Sequence, residues 1–251
     1  MKFLSKNNIS FFQSDLLNKH NIYHSFFTKR LNKNEPGELQ KELNLNSNIN
    51  FLKQVHSNRI IKINNMLDLK PKIGDCLITN KRNQSLWIYT ADCIPILIAD
   101  VTTRSVAALH SGLKGIKKNI ISKALKSFIE IGSNKNDLII AIGPCIEGER
   151  YQVKIKDVDN LIIQLSGKSH IKKSRLIYIN NKEKIPLFKK CISHDRLFFD
   201  IQAAAILQLH NEGIKQSQIN VNRLCTYSNP KLFNSFRKNS TKLRQWSCIY
   251  S

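Results

Sequence analysis

The sequence predicts an α+β fold with mixed, partly antiparallel sheets, and three observations carry that expectation. Runs of strand formers follow one another closely: Ser85–Ala91 (SLWIYTA), Ile94–Ala99 (IPILIA) and Ser105–Leu109 (SVAAL). The segment Ile116–Ile131 places apolar residues at 116, 120, 121, 124, 125, 128, 129 and 131, a helical stripe with Lys117, Lys118, Lys123 and Lys126 outside it. Between some successive strands there is room only for a short turn, which joins antiparallel neighbours and argues against a purely doubly wound parallel sheet.

The remaining elements follow in order. Leu31 to Asn50 is polar and reads as loop with a short helix over residues 38–45. Gly132 is a natural stop for the lysine-flanked helix. Asp137–Ile142 (DLIIAI) returns as a strand that ends at Gly143-Pro144. Gly167 to Lys190 is lysine-rich and reads as a surface loop or hairpin. Asp200 is placed to N-cap a helix running to about Glu212 and closed by Gly213, and Asn220–Thr226 and Trp246–Tyr250 read as strands.

Composition bounds the classes of function. The 251 residues suffice for one large core or two small ones, and 41% hydrophobic residues mark a globular chain. The start, MKFLSKNNISFF, makes a poor secretory signal, and no stretch approaches the roughly 20 apolar residues of a membrane span. A cytoplasmic protein without membrane partners is expected. Six cysteines without a C-x-x-C pair then favour free thiols. The 40 Lys+Arg against 18 Asp+Glu leave a formal charge of +22. The lysines are scattered, and no nucleic-acid-binding signature accompanies them, so a solvated surface is favoured over a basic nucleic-acid-binding module. Attraction of anions such as phosphate is a side benefit of this charge.

The chemistry concentrates near residues 93–110. A hairpin centred near residues 101–102 makes cross-strand partners sum to about 203–204, so Cys93 faces residue 110 or 111. A thiol and the imidazole of His110 then meet beyond strand ends. That pair supports either a metal-free cysteine hydrolase or a metal site. His56, in Gln54-Val55-His56-Ser57, is the candidate third ligand. Two imidazoles and a thiolate suit Zn²⁺ and leave one coordination position open. Other pairs offer less. His20 and His24 lack the glutamate of a zinc-protease helix, Cys191 and His194 lack a second half-site, and Cys145 reads as structural, at a strand end.

Several motifs occur together in a fixed order: Gln54-Val55-His56; Gly74-Asp75 with Leu77-Ile78-Thr79; Thr90-Ala91-Asp92-Cys93-Ile94-Pro95; His110-Ser111-Gly112; Ala141-Ile142-Gly143-Pro144-Cys145-Ile146; and Cys225-Thr226 followed by Phe233-Asn234-Ser235-Phe236-Arg237. From about His24 to the C-terminus this set resembles the polyphenol oxidase (laccase-domain) family, also described as purine nucleoside phosphorylases with adenosine deaminase activity. The resemblance implies an α/β/β/α layered single domain over 1–251, and a Zn²⁺ ion held by His56, Cys93 and His110. It implies phosphorolysis of adenosine, inosine and methylthioadenosine, and hydrolytic deamination of adenosine. Some bacterial members are instead described as peptidoglycan editing factors, which makes a peptidoglycan precursor the alternative substrate. Multicopper oxidation is rejected on ligand count, because none of the seven histidines forms an H-x-H pair.

Within that resemblance, Asp75 and Asp92 are the carboxylates expected beside the metal, Asp75 as acid/base and Asp92 as a second candidate or a structural support. Lys114, at a helix start near Gly115, and Arg237 and Arg244 are the candidate phosphate ligands. The family's usual H-A-G-W-R-G reads His110-Ser111-Gly112-Leu113-Lys114-Gly115 here, so a lysine replaces the bidentate arginine fork. The glycine-rich segment that usually follows F-F-T-R is nearly absent after Phe26-Phe27-Thr28-Lys29-Arg30.

Overall fold

Two β-sheets packed face to face organise the chain. The structure, a computed structural model, describes residues 1–29, 35–64, 72–166, 177–180, 183–190 and 195–251. The first sheet has six strands in the order Ile219–Val221, Leu138–Ile142, Ile94–Asp100, Val106–Ser111, Cys76–Thr79 and Ile60–Lys62. Its outermost pairings are parallel and its inner ones antiparallel. The second sheet has seven strands in the order Lys2–Lys6, Ile9–Gln13, His24–Phe27, Gln245–Tyr250, Gln84–Thr90, Asn48–Lys53 and Lys72–Ile73.

Side-chain alternation assigns the layers. In Ile94–Asp100 the residues Ile94, Ile96 and Ile98 pack against helices, whereas Leu97 and Ala99 fill the space between the sheets. A strand covered on both faces has no polar side to show, which is why IPILIA reads as an unbroken apolar run. In Gln84–Thr90, Leu86 and Ile88 face the first sheet. Trp87 faces outward, beneath Leu39 and Leu43 at the Pro36–Glu42 helix, and stacks on Phe27 at 5.8 Å. On the far side of the six-stranded sheet lie the helices Ile120–Glu130 and Ile201–Asn211, with Leu125, Phe128, Ala204 and Ile206 fully buried. Full burial of a side chain the size of Leu or Phe contributes roughly 1.5–3 kcal/mol. The order is helix, sheet, sheet, helix, as the family resemblance implies.

Local chemistry shifts several boundaries. The lysine-flanked stripe is two helices, Leu113–Lys117 and Ile120–Glu130, because Asn119 adopts φ +56°. Asn tolerates that left-handed conformation, and the Ile116 carbonyl accepts from Asn119 N at 3.0 Å and from Gln208 Nε2 at 2.9 Å. The short helix expected at 38–45 is Pro36–Glu42, with proline in its first turn. The strand expected at 220–226 stops at Val221, where Asn222 Oδ1 accepts from Leu224 N and turns the chain; Cys225 makes only an isolated bridge to Cys145. Within 167–190 the described residues include an antiparallel hairpin of Ile177–Asn180 and Glu183–Pro186. Cys191 and His194 lie outside the described residues. Asp200 caps its helix as expected, accepting from Ala203 N at 2.8 Å. Among the described residues, no helix is long and apolar enough to cross a membrane, and Cys76, Cys93, Cys145, Cys225 and Cys248 are free thiols.

One buried histidine belongs to the fold alone. His24 is fully buried; its Nε2 accepts from Ser14 N at 2.6 Å while Nδ1 donates to the Ile22 carbonyl at 2.9 Å. A second ring proton would point at the Ser14 N–H. Burial lowers the His24 pKa from 6.5 to about 4, against opposing contributions from the Ile22 carbonyl and Asp15. The unfolded chain therefore takes up this proton first as the pH drops. Stability is complete above pH 6.5 and falls as the pH descends towards 4, by a total on the order of 3 kcal/mol. Urea melts across this window should show that loss, and in His24→Gln the profile should be flatter by this amount. An unchanged slope in the variant would contradict the assignment.

Candidate metal centre

The centre is organised by a carboxylate with no exposure to solvent. Asp75 lies just before the Cys76–Thr79 strand and is 0% exposed. Its oxygens accept from three consecutive amides: Val55 N at 3.2 Å, His56 N at 2.9 Å and Ser57 N at 2.6 Å. The Ser57 hydroxyl donates a further bond at 2.6 Å. Successive N–H groups converge on one anion only if the chain curls, and His56 takes φ +57° to allow it. Asp75 Oδ1 also lies 2.8 Å from His110 Nδ1, and the Asp75 carbonyl accepts from His110 N at 2.8 Å. A carboxylate accepts, so Nδ1 carries the proton and Nε2 of His110 keeps its lone pair for a ligand. One carboxylate thus fixes the backbone of one histidine and the tautomer of the other. Burial alone raises the Asp75 pKa, but the His110 and Ser57 hydrogen bonds outweigh it and bring the group down to about 2.

Gln54 anchors the other side of this curl. Its Nε2 donates to the Tyr89 carbonyl at 2.8 Å and its Oε1 accepts from Tyr89 N at 2.9 Å, which ties the His56 segment to the Gln84–Thr90 strand. Cys93 arrives from the same strand through a tight turn in which Asp92 has φ +87°. That sparsely populated conformation is held from three sides. Asp92 Oδ1 accepts from Thr226 Oγ1 at 2.6 Å, Oδ2 from Arg237 N at 2.7 Å, and the Asp92 carbonyl from Ile146 N at 3.0 Å.

The hairpin register differs from expectation. Paired residues sum to 205, as in His110↔Pro95 and Ser111↔Ile94. Asp100 is the cause: its Oδ1 accepts from Thr102 N and Thr103 N, and this centres the turn one half-step later. Continued past the strand end, the register sets Cys93 against Gly112 rather than 110 or 111. A Cβ on Gly112 would lie 2.7 Å from Cys93 Sγ and 3.1 Å from His56 Cδ2. This glycine is required by close approach.

The ligand atoms of His56, Cys93 and His110 all lie within 4.8 Å of one another, and the three residues could hold a metal ion. Cys93 Sγ is 3.7 Å from His56 Nε2, and the two imidazole rings meet edge to face at 4.7 Å. Burial pushes the Cys93 thiol up, but the neighbouring imidazoles, His110 foremost, bring it below the ordinary thiol range. Burial likewise lowers His110, and the Cys93 and Asp75 charges more than reverse this. A thiolate beside two imidazoles fits a soft-to-borderline divalent ion such as zinc. Among the described residues this is the one cluster of three or more such ligands, and it offers three ligand atoms to a single ion.

Lys114 is exposed in the first turn of the Leu113–Lys117 helix, two positions after Gly112. Arg237 donates to the Gln152 carbonyl and lies 4.9 Å over Tyr151. Arg244 donates to the Thr241 and Leu243 carbonyls. Both guanidiniums are therefore partly engaged by backbone. Cys145 is buried, with its thiol pKa raised by that burial, and it lines a separate cavity of about 200 Å³ with Glu147, Asp200, Gln202 and Arg223. Gln54, Ser57, Gly112, Thr226 and Tyr151 were not singled out from sequence. The first four lie inside the quoted motifs or one residue beyond them, whereas nothing around Tyr151 marks it.

Two substitutions test this construction. Asp75→Asn removes the charge that orients His110 and curls residues 55–57, so zinc affinity measured against a chelator should fall about 10- to 100-fold. Wild-type affinity in that variant would show that the carboxylate is dispensable to the site. Gly112→Ala should leave far-ultraviolet circular dichroism intact but destabilise the protein by about 1–3 kcal/mol and lower metal occupancy. Full occupancy would mean that Cys93 can move aside.

Comparison with known proteins places these features in a lineage. Residues 29–251 match the family model described as multi-copper polyphenol oxidoreductase laccase. A Synechocystis protein named purine nucleoside phosphorylase is 30% identical over 236 residues, covering 91% of this chain and 89% of the relative. An Aquifex aeolicus protein of the same name is 33% identical over 196 residues, 78% of this chain and 79% of its own. In the solved structures, YlmD from Geobacillus stearothermophilus shares the fold with a TM-score of 0.82 at 20% identity, covering 99% of this chain and 98% of its own. The YfiH protein of Bacillus licheniformis does so at 0.79 and 23%, with the same coverage. With the family model spanning all but the first 28 residues, the chain belongs to the laccase-domain family whose curated relatives carry the name purine nucleoside phosphorylase.

Proposed function

We propose that this chain is a zinc-dependent purine nucleoside phosphorylase that acts on adenosine, inosine and methylthioadenosine and also deaminates adenosine. The observation that carries the reading is the convergence of His56, Cys93 and His110 around one point, in a chain whose relatives bear that name. His56 Nε2, Cys93 Sγ and His110 Nε2 would hold the zinc ion. Bound there, zinc supplies Lewis acidity and lowers the pKa of coordinated water to about 7.

The chain's own residues divide the remaining work. In phosphorolysis the bond between the base nitrogen and C1′ breaks, a phosphate oxygen bonds to C1′, and the released base takes up a proton. Lys114 brings charge to the phosphate; it is exposed, two residues after the Gly112 that abuts Cys93 and His56. Arg237 and Arg244, each already engaged by a backbone carbonyl and lying against a ring, are the secondary candidates for anion contact. Asp75 and Asp92 act by positioning. The five donors on the Asp75 carboxylate leave it no room to shuttle a proton, and Asp92 is held by Thr226 and Arg237.

A second reading has a specific observation behind it. Cys93, His110 and Asp75 stand in the order of a thiol nucleophile, its base and the group that orients the base. His56 favours the metal, because a metal-free hydrolase needs no second imidazole 3.7 Å from the thiol. Chelation should abolish activity if the metal reading holds, whereas alkylation of metal-stripped protein should be the decisive insult if it does not.

Protein purified without added metal should carry close to one zinc per chain, and His56→Ala or Cys93→Ala should empty the site. Inosine should release hypoxanthine only with phosphate, adenosine should release ammonia, and both should cease in His110→Ala. Lys114→Ala should lower phosphorolysis on the order of tenfold to a hundredfold through the KM for phosphate, the value of one charge-assisted hydrogen bond. Deamination and zinc content should be spared. Equal losses in both reactions would remove Lys114 from phosphate binding. Failure to turn over any purine nucleoside would point instead to a cell-wall precursor.

A further inference from the structure

Beside the Asp92-Cys93 turn the fold leaves an aromatic ring in water. Phe236 is 55% exposed, more than any other large apolar side chain among the described residues. It opens the short helix Phe236–Asn239, which is capped by the Ser235 hydroxyl on Lys238 N. The next amide, Arg237 N, donates to Asp92, the residue before Cys93. The ring is thus tethered one residue away from the turn that delivers a metal ligand. Arg244 reaches the same turn from the opposite direction, because Gln245 pairs with Thr90 and so sets residue 244 alongside residue 91.

The cations near this turn lie against rings. Arg244 lies 5.9 Å from the Phe236 ring centre and is itself fixed by the carbonyls of Thr241 and Leu243. Arg237 lies 4.9 Å over Tyr151, and Lys238 and Arg150 lie 5.1 and 5.6 Å from Tyr227. Tyr151 and Tyr227 are partly buried, so their partners pack them into the wall. Phe236 alone keeps most of its surface free while its position is held by a guanidinium. A ring held in this way by a desolvating cation is preorganised for a flat, electron-rich partner.

We propose that Phe236, backed by Arg244, is the platform on which the purine base of the substrate stacks. The inference rests on the purine nucleoside reading of the metal centre and names the residue that selects the base. Stacking requires a broad π face, so purines gain more than pyrimidines, and it tolerates both the 6-amino and the 6-oxo ring. A platform of this kind would let one site accept adenosine and inosine alike.

The test uses the full zinc-loaded chain. Inosine binding without phosphate is measured by calorimetry, and KM values for inosine and phosphate are measured separately. Loss of one base–aromatic stack should weaken inosine binding in Phe236→Ala on the order of ten- to a hundredfold. Its KM for inosine should rise alike, with the KM for phosphate, zinc content and melting temperature unchanged. Phe236→Trp should restore binding, and Arg244→Ala should lose part of it. Wild-type inosine affinity in Phe236→Ala overturns the platform and leaves the phosphorylase reading standing. A wild-type chain that binds no purine nucleoside overturns both. A change of sedimentation coefficient in Phe236→Ala with unchanged KM would make the ring a contact between copies of this chain, and that too overturns the proposal.

Discussion

A negative charge shut away from water holds this molecule's chemistry together. An unpaired buried carboxylate is among the most costly groups a fold can contain, and Asp75 is tolerated because five donors surround it. Those donors come from two segments that share no strand, residues 55–57 and residue 110. Satisfying the charge therefore requires both histidines to be in place, so the electrostatic demand and the assembly of the ligand set are one event. The left-handed backbone at His56 is a local cost that the same interaction offsets.

The Cys93 side is built differently. There the strain lies at Asp92, and the restraint comes from Thr226, Arg237 and Ile146, all distant in sequence. The ligand triad thus joins a rigid face, set by the Cys76–Thr79 and Val106–Ser111 strands, to a turn braced by the C-terminal region. A metal ion bound between them would link the two and add its binding free energy to folding.

Much of this was legible in the residues themselves. Strand runs and the helical stripe gave the elements because alternation and 3.6-residue periodicity are direct records of which face is buried. The order of Gln54-Val55-His56, Asp92-Cys93 and His110 pointed to the candidate ligands only through resemblance, since no local pattern brings residue 56 to residue 93. The hairpin register was missed by one to two positions in its pairing sum because the side chain of Asp100 recentred the turn, a preference that strand patterning does not encode. The five donors on Asp75, which bear on its reading as an acid/base, were hidden for a similar reason. A sequence shows that a carboxylate is near the site but not how many donors already occupy it. Asn119 likewise broke a stripe whose apolar spacing continues across the break.

The place of the Gln245–Tyr250 strand has a kinetic consequence. It is the last strand along the sequence, yet it lies between His24–Phe27 and Gln84–Thr90 in the interior of its sheet. Ser251 hydrogen-bonds Gln84, 167 positions earlier. As the chain emerges from its N-terminal side, two half-sheets wait with unpaired apolar edges until this segment arrives to join them. Such long-range closure makes folding slow, and the waiting edges are templates for pairing with other chains. Until residues 245–250 pair with both neighbours, the edges of His24–Phe27 and Gln84–Thr90 stay open to pairing with other chains.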